Sequence, residues 1–85
     1  MIEKRGTISA DHPALPGHFP GEPIVPGVVL LDEVLSAMAG RMHIPWAKFH
    51  APLLPGEEFA IRIEGTKFSV HRGDTLIASG SVRAA

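Results

Sequence analysis

Between His12 and Gly27 the chain places Pro13, Pro16, Gly17, Pro20, Gly21, Pro23, Pro26 and Gly27, and its most apolar run follows directly. Proline lacks the N–H that a helix interior or central strand needs, and glycine loses the most conformational freedom on ordering. No helix and no central strand survives that density of breakers. Leu15, Phe19, Ile24 and Val25 are interleaved among them, so the segment is predicted to be an ordered loop with one buried side rather than a flexible linker. Regular structure must therefore lie before His12 or after Gly27.

After the loop, Val28, Val29, Leu30, Leu31, Val34, Leu35, Ala37, Met38 and Ala39 predict a helix. Pro26 and Gly27 mark its start, and it is expected to end around Gly40 to Met42, ahead of Pro45. A helix that is apolar on nearly all sides is a buried one. Asp32, Glu33 and Ser36 form its polar stripe, with Asp32 and Ser36 four positions apart on one face. Met38 and Met42 read as core filling.

The rest of the chain predicts strands: Ile2 to Ser9, Trp46 to Pro52, and then three alternating segments. Phe59, Ile61 and Ile63 alternate with Ala60, Arg62 and Glu64; Phe68 and Val70 with Lys67, Ser69 and His71; Leu76, Ala78, Gly80 and Val82 with Ile77, Ser79, Ser81 and Arg83. Pro55-Gly56-Glu57, Gly65-Thr66 and Arg72-Gly73-Asp74 supply the turns. One strand, an ordered loop, one buried helix and four strands make an α+β layer arrangement in one domain over residues 1–85.

A domain of 85 residues buries only roughly 60–65% of its unfolded surface, and a core that small supplies roughly 3–5 kcal/mol. Cysteine is absent, which excludes disulfides and thiolate metal sites. Self-association is the remaining route to stability, and a second copy closing the open side of the helix predicts a dimer. The net charge of −1, without any basic cluster, argues against nucleic acid as a partner. No apolar run is long enough to span a bilayer, and Met1-Ile2-Glu3-Lys4-Arg5 leads into no apolar signal core. A soluble cytoplasmic protein without membrane insertion is expected.

The chemistry concentrates in Gly17-His18-Phe19-Pro20-Gly21-Glu22-Pro23-Ile24-Val25-Pro26-Gly27, followed by Val28-Val29-Leu30-Leu31-Asp32. An imidazole sits in a stiff loop, and a carboxylate lies in the early turns of a greasy helix. A glycine occupies the helix N-terminus, where free N–H groups and the helix dipole favour negative charge. A base, an acid and an oxyanion site are the parts needed to remove a proton beside a carbonyl. His12 and His18 are six positions apart, which is not a metal-ligand spacing, so no metal is expected. His43, His50 and His71 read as surface or strand residues.

This stretch resembles the active-site segment of the 3-hydroxyacyl-[acyl-carrier-protein] dehydratases, hot-dog enzymes of fatty-acid synthesis. Their pattern is Gly-His-Phe-x-Gly-x-Pro-x-x-Pro-Gly, a short apolar run, then Glu or Asp. The resemblance implies a hot-dog fold, a curved antiparallel sheet wrapped around one central helix, as a homodimer or a higher oligomer. It implies His18 and Asp32 as the catalytic pair, with Asp32 fourteen positions after His18. Gly27 then supplies the N–H that polarises the thioester carbonyl, with Phe19, Pro26 and Val28 around the substrate. It implies dehydration of a 3-hydroxyacyl thioester to a trans-2-enoyl thioester in fatty-acid, polyene or related lipid biosynthesis. No cofactor is implied beyond the phosphopantetheine arm of acyl carrier protein or coenzyme A that carries the substrate. An acid in this role needs its proton at neutral pH, and burial in an apolar pocket preserves it.

The sequence departs from the family at two points. Ser36 stands where the family usually has the glutamine that orients the carboxylate, and is the candidate for that role toward Asp32; its shorter side chain either leaves Asp32 less firmly held or hands the role to water or Glu33. The chain also lacks the family's N-terminal helical lead-in, and its last strands look trimmed. The resemblance leaves two alternatives to a dehydratase: a hot-dog thioesterase, and a non-catalytic module that binds acyl carrier protein or a partner dehydratase.

Overall fold

Two-residue alternation dominates the second half of the chain, and there it folds as consecutive antiparallel strands in the computed structural model, which describes residues 1–9, 24–38 and 40–84. Strand β1 (Ile2–Thr7), helix α1 (Gly27–Ser36) and strands β2 (Met42–Phe49), β3 (Glu58–Glu64), β4 (Lys67–Arg72) and β5 (Thr75–Ala84) follow in chain order. They form one five-stranded sheet in the order β1-β3-β4-β5-β2, with every described pairing antiparallel. Gly65 and Gly73 have φ near +60° in the β3–β4 and β4–β5 turns (59° and 57°), a conformation in which a Cβ is strained.

The register stacks the apolar face of the sheet in rows. Ile61 lies opposite Val70 and Val70 opposite Ala78, while Ile63 lies opposite Phe68 and Phe68 opposite Gly80. These side chains, with Phe59, Ile77 and Val82, are buried against Val29, Leu30 and Val34 of α1. One helix against one face of an antiparallel sheet is the hot-dog arrangement that the resemblance implied.

Several limits differ from those expected: β1 ends at Thr7 rather than Ser9, and β2 ends at Phe49 rather than Pro52. The helix stops at Ser36 rather than near Gly40. The Ser36 hydroxyl donates to the Glu33 carbonyl at 2.9 Å, the Ala37 N–H divides between Glu33 and Val34 (3.2 Å each), and Met38 N–H reaches Leu35 at 3.1 Å. Side-chain competition and three-residue bonds tighten and end the last turn. Strand β2 begins at Met42 rather than Trp46 because its register shifts between His43 and Trp46, around Pro45. A proline is tolerated there because β2 is an edge strand with a bulge. In β5 a shift opposite His71 changes the phase, so Ile77 rather than Leu76 is fully buried.

The helix is also less enclosed than its composition predicts. Val29, Leu30 and Val34 are buried, but Val28 is 64% exposed and Asp32 and Ser36 are exposed with it on one side. The sheet of a single chain covers one face of α1 and leaves the other open.

Candidate active site

The N-terminus of α1 opens onto an apolar cleft of about 410 Å³. Ile24, Val25, Pro26, Gly27 and Leu30 form one wall, and Phe49, His50, Ala51, Pro52 and Leu53 the other. Pro26 holds the extended conformation before the helix (φ −59°, ψ 142°), and α1 starts without a side-chain cap. Val29 N–H bonds back to the Pro26 carbonyl at 3.0 Å. The N–H groups of Gly27 and Val28, first in the helix, have no intrahelical acceptor. With the helix dipole behind them, they are suited to a developing negative charge.

Gly27 is glycine for a packing reason as well. A Cβ at this position would lie 2.6 Å from Phe49 Cζ and 3.0 Å from two further ring atoms. The tip of the Phe49 ring therefore rests on the helix start, while the ring as a whole is 48% exposed and lines the cleft.

Of the residues marked in the sequence, Gly27 and Pro26 lie on the cleft, and Val28 follows Gly27 but turns its side chain outward. His18 and Phe19 lie outside the described residues, as does most of the Pro/Gly loop. Asp32 is exposed and does not line the cleft, so the apolar burial expected for it is absent within one protomer. The reason is geometric: Asp32 is one turn from Val28, on the helix face that the sheet does not cover. The expected bond from Ser36 to Asp32 is likewise not formed. Ser36 Oγ accepts from Lys4 Nζ at 3.0 Å and donates to Glu33, whose carboxylate lies 3.6 Å from Lys4 Nζ. Its short side chain is used at the end of the helix and toward β1.

The polar side chain on this cleft among the described residues is His50, which the sequence did not single out. Its Nε2 is 2.9 Å from Ser79 Oγ of β5. The signal available in the sequence was its place in Lys48-Phe49-His50-Ala51-Pro52, a segment that also resembles the dehydratases. Among the described residues no three His, Asp or Glu side chains gather to hold a metal ion, and no helix is long and apolar enough to cross a membrane.

Residues 1–81 match the family model for the ApeI-like proteins, described as ApeI dehydratase. The chain belongs to the ApeI-like dehydratase family. Curated relatives of this family member include two FabZ proteins, each a 3-hydroxyacyl-[acyl-carrier-protein] dehydratase. The one from Haemophilus influenzae is 36% identical over 75 residues, taking in 71% of this chain and 51% of the relative. The one from Thermus thermophilus is 36% identical over 81 residues, taking in 91% of this chain and 53% of the relative. The ApeI-like chain thus spans about half the length of the curated relatives it matches. Its fold matches a chain of the dehydratase heterocomplex ApeI:P from Xenorhabdus doucetiae with a TM-score of 0.76 at 23% identity, covering 95% of this chain and 83% of that one. That likeness shows the hot-dog fold.

Proposed function

We propose that this protein dehydrates a 3-hydroxyacyl thioester to a trans-2-enoyl thioester, with the substrate delivered on the phosphopantetheine arm of an acyl carrier protein in fatty-acid or related lipid biosynthesis. The observation that carries the reading is an uncapped helix start at Gly27 opening onto an apolar cleft, in a chain of a dehydratase family. The acyl chain occupies the cleft between Leu30 and Leu53. His18 takes a proton from C2, and the electron pair moves toward the thioester oxygen, where the Gly27 and Val28 N–H groups receive it. One donor of this kind contributes about 3 kcal/mol. The C3–O bond then breaks as Asp32 gives a proton to the departing hydroxyl, and water leaves.

Asp32 and the cleft lie on different faces of α1 in one protomer. The proposal therefore includes a second subunit, whose Asp32 completes the site. The open edge of β2, with exposed Trp46 and Phe49, and the open α1 face with Val28 provide the surface for it. The second subunit is another copy of this chain, and size measurement on the purified protein alone decides this against a different dehydratase-like chain. A cytoplasmic location belongs to the same proposal.

The test is conversion of 3-hydroxyacyl to enoyl thioester by the purified protein. His18→Ala and Asp32→Asn are each expected to lower turnover by about 10²–10⁴-fold; unchanged rates in both variants reject the mechanism. A second reading, an acyl-thioester-binding module without turnover, is favoured by the engagement of Ser36 with Lys4 and Glu33 instead of Asp32. Carrier binding without conversion at any chain length would select it.

A further inference from the structure

The far wall of the cleft is the loop between β2 and β3, outside any strand ladder, so its backbone groups must be satisfied individually. Two side chains do this at its centre. Arg72 Nη1 donates to the Pro52 carbonyl at 2.7 Å and to Glu57 Oε1 at 3.1 Å, and Glu57 Oε1 also accepts the Leu54 N–H at 2.8 Å. The backbone is thus held at residues 52 and 54, on either side of Leu53. The Leu53 carbonyl in turn accepts the Val25 N–H at 2.8 Å, and Val25 is 4% exposed, two residues before the first residue of α1. Neither Arg72 nor Glu57 lines the cleft.

We infer that Arg72 and Glu57 are positioning residues: together they clamp the Pro52–Leu54 backbone, and through the Leu53 carbonyl they set where the Gly27 end of α1 stands against the opposite wall. A partly exposed ion pair alone would do little. Here the side chains are about one-third exposed (32% and 33%), and each partner is also tied to backbone, which gives charge-assisted bonds of fixed direction. Oxyanion donors act only where the charge develops, and a misplacement of about 1 Å costs on the order of 10²-fold in rate. The consequence for rate rests on the dehydratase reading; the consequence for backbone order does not.

The experiment uses the full chain with Arg72→Ala, Glu57→Ala and the conservative Glu57→Gln, which keeps the Oε1 acceptor. Amide hydrogen exchange is read at Val25 and Leu54 against the ladder amides of β3 and β4, and kcat and KM are measured on a 3-hydroxyacyl thioester. Arg72→Ala and Glu57→Ala are expected to speed exchange at Val25 and Leu54 selectively and to lower kcat between about tenfold and 10²-fold, with KM changed less. Glu57→Gln restores most of both. Arg72→Gln gives the same pattern in weaker form if Arg72→Ala does not fold. The inference is overturned if exchange at Val25 is unchanged or rises no more than in the ladders. It is also overturned if exchange rises selectively while kcat holds within twofold. A wild-type protein that turns over no thioester removes the dehydratase reading, while the exchange pattern still decides the clamp.

Discussion

A methyl group at Gly27 would meet the Phe49 ring tip at 2.6 Å, so the residue proposed to present the oxyanion N–H also permits the contact of β2 with the helix start. The two roles separate experimentally. Gly27→Ala is expected to cost about 1–3 kcal/mol of stability as an overpacking change, and Phe49→Leu in the same chain to recover most of that loss in urea denaturation. Activity is expected to remain low in the double variant, because the added methyl group and the lost Phe49 ring both reshape the cleft wall at the donors. If the stability loss is the same with and without Phe49→Leu, the packing explanation fails. The Lys4–Glu33 contact is of another kind. It is 3.6 Å long between side chains 41% and 31% exposed, and Lys4→Ala is expected to shift stability by less than about 1 kcal/mol.

At the scale of elements, the β2–β5 contact depends on Gly80. A Cβ there would fall 2.4 Å from the Trp46 carbonyl oxygen and 2.5 Å from Phe68 Cε2. The first atom is backbone and cannot swing aside. Gly80→Ala should therefore force the edge strand away, with a loss of about 1–3 kcal/mol and a fall in Tm of roughly 4–8 °C per kcal/mol for a domain of this size. An unchanged Tm would mean that β2 is free to shift. In the centre of the sheet Ile61 has no exposure, and Ile61→Ala is expected to cost about 2–5 kcal/mol, read as a lower urea midpoint. The helix and the alternating strands were legible in the sequence. Their limits were not, because Ser36 and Pro45 act through a local hydroxyl bond and an edge-strand bulge that hydrophobic period alone does not report.

For the whole molecule the deciding fact is that, among the described residues, the sheet covers one side of α1 while Val28, Asp32 and Ser36 stand exposed on another. The exposed side carries Asp32, while the cleft at Gly27 lies on another face, so a single chain holds the proposed acid away from the proposed oxyanion site. In the proposed dimer, association through β2 and the open helix face would cover the apolar surface and bring an acid to the cleft in one step. Val28→Asp and Trp46→Lys together are expected to yield monomers by sedimentation and to abolish turnover with the strands intact by circular dichroism. A monomeric wild-type protein with full activity would remove the shared site. His50 is exposed, as its reading as a surface or strand residue had it; its place on the cleft wall with Ser79 as its partner was not legible, because Ser79 and the Gly27 wall come from distant segments.

The linear chain determined the kind of elements, their order, and the pairing of Gly27 with a helix start. These depend on local sterics, side-chain period and the missing N–H of proline. The folded chain decided which helix face is covered, that Ser36 turns to Lys4 and Glu33, and that the cleft has a clamped far wall. Those outcomes depend on which distant segments meet, and no spacing along the chain encodes a contact between strands that fold together from opposite ends.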